Sequence, residues 1–312
     1  MTTIPFRRHD VAFTPQSARV IIRPFIPSSA HRITTILGRA LALSEEETTH
    51  DLASMLMDFS SRHLDIETPL LANFERVLPH IFTHRPLTHA RKLLIGALFS
   101  GEYALESAAL FNPSIVPHPD QEGVPTGALR FILSLRATGE GHVSSIEFRT
   151  GLIDSDGNLR MDPVSPFVAL PDLNPNPSHK KLPFIVKLHE MGFENGHASM
   201  VMDALGETFT RSDLNQCVHR IRRETRPLTQ DLSNTLRCIQ WLADSNYEIH
   251  FPSKLAMSER IIFPVSTNES HGIEDARFVR FVEDDGSAMY YATYTAYNGH
   301  AILPQLIETR DF

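Results

Sequence analysis

Leu129-Arg130-Phe131-Ile132-Leu133-Ser134-Leu135-Arg136 alternates, imperfectly, between apolar and polar residues, and after a Gly139-Glu140-Gly141 turn the stretch Val143-Ser144-Ser145-Ile146-Glu147-Phe148-Arg149 does so again. Alternation at period two marks a half-buried strand. Asp156-Gly157, a dipeptide suited to the left-handed backbone of a tight hairpin loop, then turns the chain once more. The reading is one antiparallel meander of about 50 residues.

A second meander lies near the end of the sequence. Strands resume at Ile261-Ile262-Phe263; Arg277 to Val282 leads into an Asp284-Asp285-Gly286 turn, and Met289-Tyr290-Tyr291-Ala292-Thr293-Tyr294-Thr295-Ala296-Tyr297 is rich in strand-favouring residues. Tyr291, Thr293, Thr295 and Tyr297 share one face of that strand, with Tyr290, Ala292, Tyr294 and Ala296 on the other. Most of these tyrosines suit core packing.

The remaining segments read as helical. After the extended Val20 to Phe25, Ile33, Ile36, Leu37, Ala40 and Leu41 fall at helix spacing, and Ser44 with Glu47 makes a capping box for a second helix. A third helix is expected over Leu70 to Phe82 and a fourth from Thr88 to Leu110, ended by Phe111-Asn112-Pro113, where proline forbids continuation. A Pro- and Asn-rich stretch, Pro171 to Pro177, precedes further helices, the best of which places Leu232, Leu236, Ile239 and Leu242 at helix spacing. The expected layout is an N-terminal helical domain at 1–107, a first strand unit at 108–162, a helical insertion at 163–257 and a second strand unit at 258–312.

Composition narrows the function classes. The chain has 312 residues, 29 Lys+Arg against 37 Asp+Glu, a formal net charge of −8 and 42% apolar residues. That acidic balance argues against sequence-independent nucleic-acid binding, which needs a dense cationic surface. No run approaches the roughly 20 apolar residues of a membrane span, and the N-terminus has no signal-peptide core. Cys217 and Cys238 lack metal-ligand spacing and read as reduced, packed thiols, so a cytoplasmic protein is expected. His189-Glu190 with His197 lacks the His-Glu-x-x-His spacing that puts two imidazoles on one helical face, so no metal site is expected.

Two meanders of similar size suggest a repeated blade, and blades of roughly 40 to 50 residues point to a β-propeller. Propellers need about four to eight blades to close, and the sequence ends at Phe312 directly after a strand. A fragment of a longer protein is therefore the expectation.

The segment richest in chemistry is Asn268-Glu269-Ser270-His271-Gly272-Ile273-Glu274-Asp275-Ala276-Arg277-Phe278, followed by the aromatic strand. Acid, base and aromatic groups at a loop-to-strand junction suit carbohydrate chemistry, in which carboxyls protonate a leaving oxygen and rings cover the apolar face of a sugar. A surface ion pair is the plainer account of Glu-Asp-x-Arg. Strand alternation also turns Glu274 and Asp275 to opposite sides, which argues against a catalytic pair.

Gly272-Ile273-Glu274-Asp275-Ala276-Arg277 with Tyr290 to Tyr297 resembles the signature of the β-mannoside phosphorylases and related β-mannosidases, family 130 of the glycoside hydrolases. Phe111-Asn112-Pro113-Ser114-Ile115-Val116 leading to Leu133-Ser134-Leu135-Arg136 is similar to that family's first-blade pattern. The resemblance covers residues 111–162 and 258–312. It implies a five-bladed propeller, here incomplete, and inverting cleavage of a β-mannosidic bond by phosphate to give mannose 1-phosphate, or by water in the hydrolases. Asp275 matches the general acid, whose proton passes through a hydroxyl of the bound mannose; Asn112, Arg136 and Arg277 match positions near the sugar. His142, His271 and Tyr294 lie in the same blocks, the histidines suited either to sugar hydroxyls or to turn stabilisation. No cofactor is implied beyond inorganic phosphate as co-substrate, and the partners are a manno-oligosaccharide and phosphate.

Two departures bear on activity. Ala276 stands where the family usually has Pro, and the phosphate-binding Arg and Lys, or a water-activating Glu, belong to later blades that this sequence lacks. A catalytically incomplete sugar-binding or interaction module is the alternative. From Asn112 to Asp275 is a step about 100 residues longer than one blade needs. The extra helices suit a lid over the site or an interface in a homo-oligomer.

Overall fold

A computed structural model describes residues 8–83 and 85–312. In chain order the elements are β1 (Val20–Pro24), α1 (Ala30–Ala42), α2 (Glu45–Phe59), α3 (Glu67–Val77), α4 (His89–Leu98), β2 (Ser100–Ala104), β3 (Ala109–Pro117), β4 (Leu129–Thr138), β5 (Ser144–Ile153) and β6 (Leu159–Met161). There follow β7 (Asp172–Leu173), β8 (Ser178–Lys180), α5 (Lys181–Glu190), α6 (Gly196–Asp203), β9 (Thr208–Thr210), α7 (Arg211–Glu224), α8 (Gln230–Asp244) and β10 (Ile249–His250). The chain ends with β11 (Ile261–Ile262), β12 (Gly272–Val282), β13 (Ala288–Tyr297) and β14 (Ile302–Thr309). Two compact units result, one containing the described residues up to Leu170 with Ser253–Pro264 and Glu269–Phe312, the other Pro171–Pro252 with Val265–Asn268.

In the first unit the capping box forms as read: the Glu47 amide donates to Ser44 Oγ at 3.1 Å, and Glu47 Oε2 accepts from the Ser44 amide at 2.7 Å. Those bonds satisfy amides that the start of a helix leaves open. α1 buries Ile33, Leu37 and Ala40 against Phe74, Val77, Ile95 and Phe99. Helix α4 stops at Leu98 instead of running on to 110, because Ser100–Ala104 leaves the helix to pair antiparallel with β1. α3 and α4 cross in direct backbone contact at Gly96, where a Cβ would lie 1.9 Å from the Leu70 carbonyl oxygen.

The large sheet runs β14-β13-β12-β5-β4-β3, with β6 and β11 also paired to β5. The expected five-bladed propeller, complete or incomplete, is not what this chain forms. Its two meanders are not separate blades around an axis but parts of one mixed, open sheet, joined where β12 meets β5 in parallel at Gly272 and Ser144. Gly272 makes the join sterically feasible: its φ is +132°, and a Cβ there would lie 2.8 Å from the Ser144 amide nitrogen. Among the described residues no sheet closes on itself; β3 and β14 stand at the two ends of the ladder. The architecture is mixed α/β, with eight α-helices among the described residues.

The faces of this sheet follow the pleat. Tyr290, Ala292, Tyr294 and Ala296 are buried, while Tyr291, Thr293, Thr295 and Tyr297 are half-buried or exposed. Phe148, Phe278, Tyr290 and Phe312 pack edge-on or tilted, with ring centroids 5.0 to 6.0 Å apart, a geometry aromatic rings favour.

A wholly buried ionic ring lies on the opposite face of β5. Arg19 reaches Glu106 at 2.7 Å and Glu147 at 2.9 Å, and Arg149 reaches the same two carboxylates at 2.7 and 3.0 Å. Arg19 also donates to the Ser258 carbonyl at 2.7 Å, and the Gln16 amide donates to Glu106 at 3.0 Å. Burial pushes Glu147 up to about 7, with the neighbouring Glu106 adding to that rise and Arg19 opposing it. Burial also penalises the Glu106 anion, but its hydrogen bond with Glu147 and the charges of Arg149 and Arg19 outweigh this and hold it below the usual carboxylate range.

The second unit is a small helical assembly. α5 to α8 enclose Phe184, Leu188, Val201, Leu214, Val218, Leu236 and Ile239. Each of the last three helices has its N-terminal amides met by a side chain: Asn195 for α6, Thr210 with Asp213 for α7 and Thr229 for α8. β8 pairs with β9 and β7 with β10. Trp241 donates its indole N–H to Asn268 Oδ1 at 2.9 Å.

Candidate functional site

Two β-bulges build the candidate site. The register of β3 against β4 shifts between Phe111 and Ser114, and that of β12 against β13 shifts between Glu274 and Arg277. Each bulge carries a non-glycine residue in the left-handed region, Asn112 at φ +49° and Asp275 at φ +58°. Asn and Asp tolerate that region better than other residues with a side chain, since a short polar group can bond locally. Bulges re-aim side chains and recur beside functional sites.

The two strained residues meet. Asn112 Nδ2 donates to Asp275 Oδ1 at 2.5 Å, and Arg136 Nη1 lies 3.6 Å from the same oxygen. Arg136, on β4, donates through Nη2 to Glu274 Oε1 at 2.6 Å and through Nε to Ser144 Oγ at 2.9 Å. Its guanidinium sits 6.0 Å from the centroid of the Phe111 ring. Arg277 Nη1 donates to the Pro113 carbonyl at 2.7 Å, and the Phe278 amide donates to Ser114 Oγ at 3.0 Å. Both bulges are thereby stapled together from either side.

This geometry revises one inference from alternation. Glu274 and Asp275 both reach Arg136, because the bulge interrupts the pleat at the point where consecutive side chains would otherwise diverge. The side chains of Arg136, Glu274 and Asp275 are 23%, 25% and 40% exposed, so the cluster is open to a ligand. Asp275 is the outermost of the three and can exchange a proton with a bound hydroxyl.

Asn112, Arg136, Asp275 and Arg277 thus converge, although they come from blocks 163 residues apart. His142, at φ +62°, ends the short turn Glu140–His142, and its amide donates to the Gly139 carbonyl at 3.2 Å. His271 is exposed, packs edge-on to Tyr297 at 5.8 Å and lies with Nδ1 3.3 Å from Ser270 Oγ. Gly299, at φ +89°, leaves room for that imidazole, since a Cβ would come within 2.9 Å of it. Tyr294 is buried and donates its hydroxyl to the buried Glu269 carboxylate at 2.6 Å.

Sequence reasoning missed Glu274, Ser114 and Ser144 as parts of the cluster. Their roles depend on registers set by distant strands, and the only local hint was the Asx residue at each bulge. Among the described residues no group of three or more His, Cys, Asp or Glu side chains is gathered as metal ligands would be. No described helix is long and apolar enough to cross a membrane. No family model, curated protein or solved structure matches the chain.

Proposed function

We propose that the paired bulges form a sugar site and that the chain acts on β-mannosidic bonds with Asp275 as general acid, by phosphorolysis to mannose 1-phosphate. The carrying observation is the convergence of Asn112, Arg136, Asp275 and Arg277. Their resemblance to sugar-site positions of the β-mannoside phosphorylases supplies the substrate class. Asn112 orients the Asp275 carboxyl through the 2.5 Å bond, and Arg136 holds Glu274 beside it. The proton moves from Asp275 to a hydroxyl of the bound mannose and thence to the departing oxygen, while phosphate attacks the anomeric carbon from the opposite face.

A second reading, mannoside binding without turnover, is favoured by how the cations are used. Arg136 already donates to Glu274 and Ser144, and Arg277 already donates to the Pro113 carbonyl. A phosphate dianion would have to draw one of them away from these acceptors.

The test is release of mannose 1-phosphate or mannose from β-1,2- and β-1,4-linked manno-oligosaccharides, with and without phosphate, alongside calorimetric titration. Phosphate-dependent product abolished by Asp275→Asn supports the phosphorylase. Heat of binding lost in Asn112→Ala, with no product, supports the binding module. Neither product nor heat refutes both.

A further inference from the structure

A recess that takes no part in the bulge site lies among α2, α3, α4 and the antiparallel β1–β2 pair. Its volume is about 170 Å³, and its walls include Met55, Phe59, Ile66, Leu70 and Ala97. The sequence creates it locally. Gly96 brings α3 and α4 into backbone contact, and the next residue, Ala97, is too short to fill the space beside that crossing. An apolar ligand seated against these walls would remove apolar surface from water on both sides. Phe59 is 37% exposed, which leaves the recess accessible from solvent.

One end of the recess is polar, formed by Ser100, Glu102 and His63. Ser100 and Glu102 are two apart on β2 and share a face of it. Glu102 Oε1 meets Arg62 Nε at 3.0 Å and His63 Nε2 at 2.9 Å, while Oε2 meets Arg62 Nη2 at 2.8 Å. Arg62 in turn lies 5.0 Å over the Phe59 ring, which fixes its position. Ser100 Oγ donates to the Gly96 carbonyl at 2.7 Å and accepts from Asn73 Nδ2 at 2.7 Å. Glu102 Oε2 and Ser100 Oγ, on residues that line the recess, each keep capacity to accept a further hydrogen bond.

We propose that this recess binds a small hydroxyl compound, a phenol or alcohol whose apolar body is the size of one six-membered ring. The volume fits: an apolar protein cavity of about 150 Å³ accommodates benzene. The polar end selects a hydrogen-bond donor, and because Arg62 already offsets the Glu102 charge, the donor needs no charge of its own. A carboxylate at that position would face Glu102 directly and is rejected.

The test uses the full chain with ¹³C-methyl methionine, the Met55 resonance being assigned with Met55→Leu. It is titrated with p-cresol, toluene and p-toluate. p-Cresol shifts the Met55 methyl and binds about tenfold more tightly than toluene, the return on one added hydrogen bond, and p-toluate leaves the resonance in place. Ala97→Leu, which fills the recess, abolishes the p-cresol shift, whereas Asp275→Asn leaves it intact. Absence of a p-cresol shift in the native chain overturns the proposal, as does toluene or p-toluate binding equal to that of p-cresol. Should Ala97→Leu not fold, the contrast among the three ligands in the native chain decides the matter.

Discussion

Replacing Glu147 by Gln isolates the energetic consequence of the buried ionic ring. Glu147 is fully buried between Arg19 and Arg149, and its carboxyl is pushed from 4.5 up to about 7, chiefly by burial. Each pKa unit corresponds to about 1.4 kcal/mol, so the shift amounts to about 3 kcal/mol of pH-dependent stability. Because the folded-state pKa is raised, the folded chain holds a proton that the unfolded chain has released. The contribution is therefore complete below the unfolded value of 4.5 and is lost as pH rises through about 7. Glu106, held low, stays ionised across this window and adds no slope. His118 and His179, both lowered by burial, titrate alike in the native and substituted proteins and cancel in the difference. Gln keeps the size of the side chain and an oxygen for the two guanidinium groups. Urea denaturation at pH 5, 6, 7 and 8, at constant ionic strength, should show native stability minus Glu147→Gln stability falling by about 2 to 3 kcal/mol across the series, most of the full effect. Parallel pH profiles, or a difference that grows with pH, would falsify the assignment of the shifted proton to Glu147.

Three further perturbations probe the fold and the site. Gly272→Ala places a Cβ 2.8 Å from the Ser144 amide nitrogen at φ +132°, and thermal denaturation should register a loss of about 2 to 3 kcal/mol. Ser44→Ala removes the side-chain half of the α2 capping box and should cost about 1 kcal/mol in urea titration; a change below about 0.3 kcal/mol would show that the cap carries no weight. Asn112→Ala deletes the bond to Asp275 and should weaken calorimetric affinity for a β-mannoside by about tenfold, the value of one hydrogen bond, whereas Asn112→Asp should weaken it further by setting two carboxylates together.

What the sequence disclosed and what it withheld divide along the range of the interactions. The Ser44–Glu47 box lies within four residues, and it forms as expected. The two meanders are likewise local pairings, and β4 with β5 and β12 with β13 run where alternation places them. Helix α4 was expected to extend to Leu110, since its apolar pattern continues past Leu98. What ends it is a strand partner at Val20–Pro24, about 80 residues earlier, which no local pattern announces. The propeller expectation failed in the same way. It required the meanders to remain separate sheets, and the contact that merges them, Gly272 against Ser144, depends on the register of two remote segments.

The candidate site shows why alternation misled at the most important position. Period two assigns Glu274 and Asp275 to opposite faces only while the ladder is regular, and the ladder breaks between Glu274 and Arg277. An equivalent break in β3 lies opposite, and each places its Asx residue at positive φ. Neither strained conformation is favourable alone, but the Asn112–Asp275 bond is available only when both are adopted, so each bulge supports the other. The bond needs β3 and β12 held in one sheet, and the chain between its two partners, 163 positions apart in sequence, carries no local signal of that pairing.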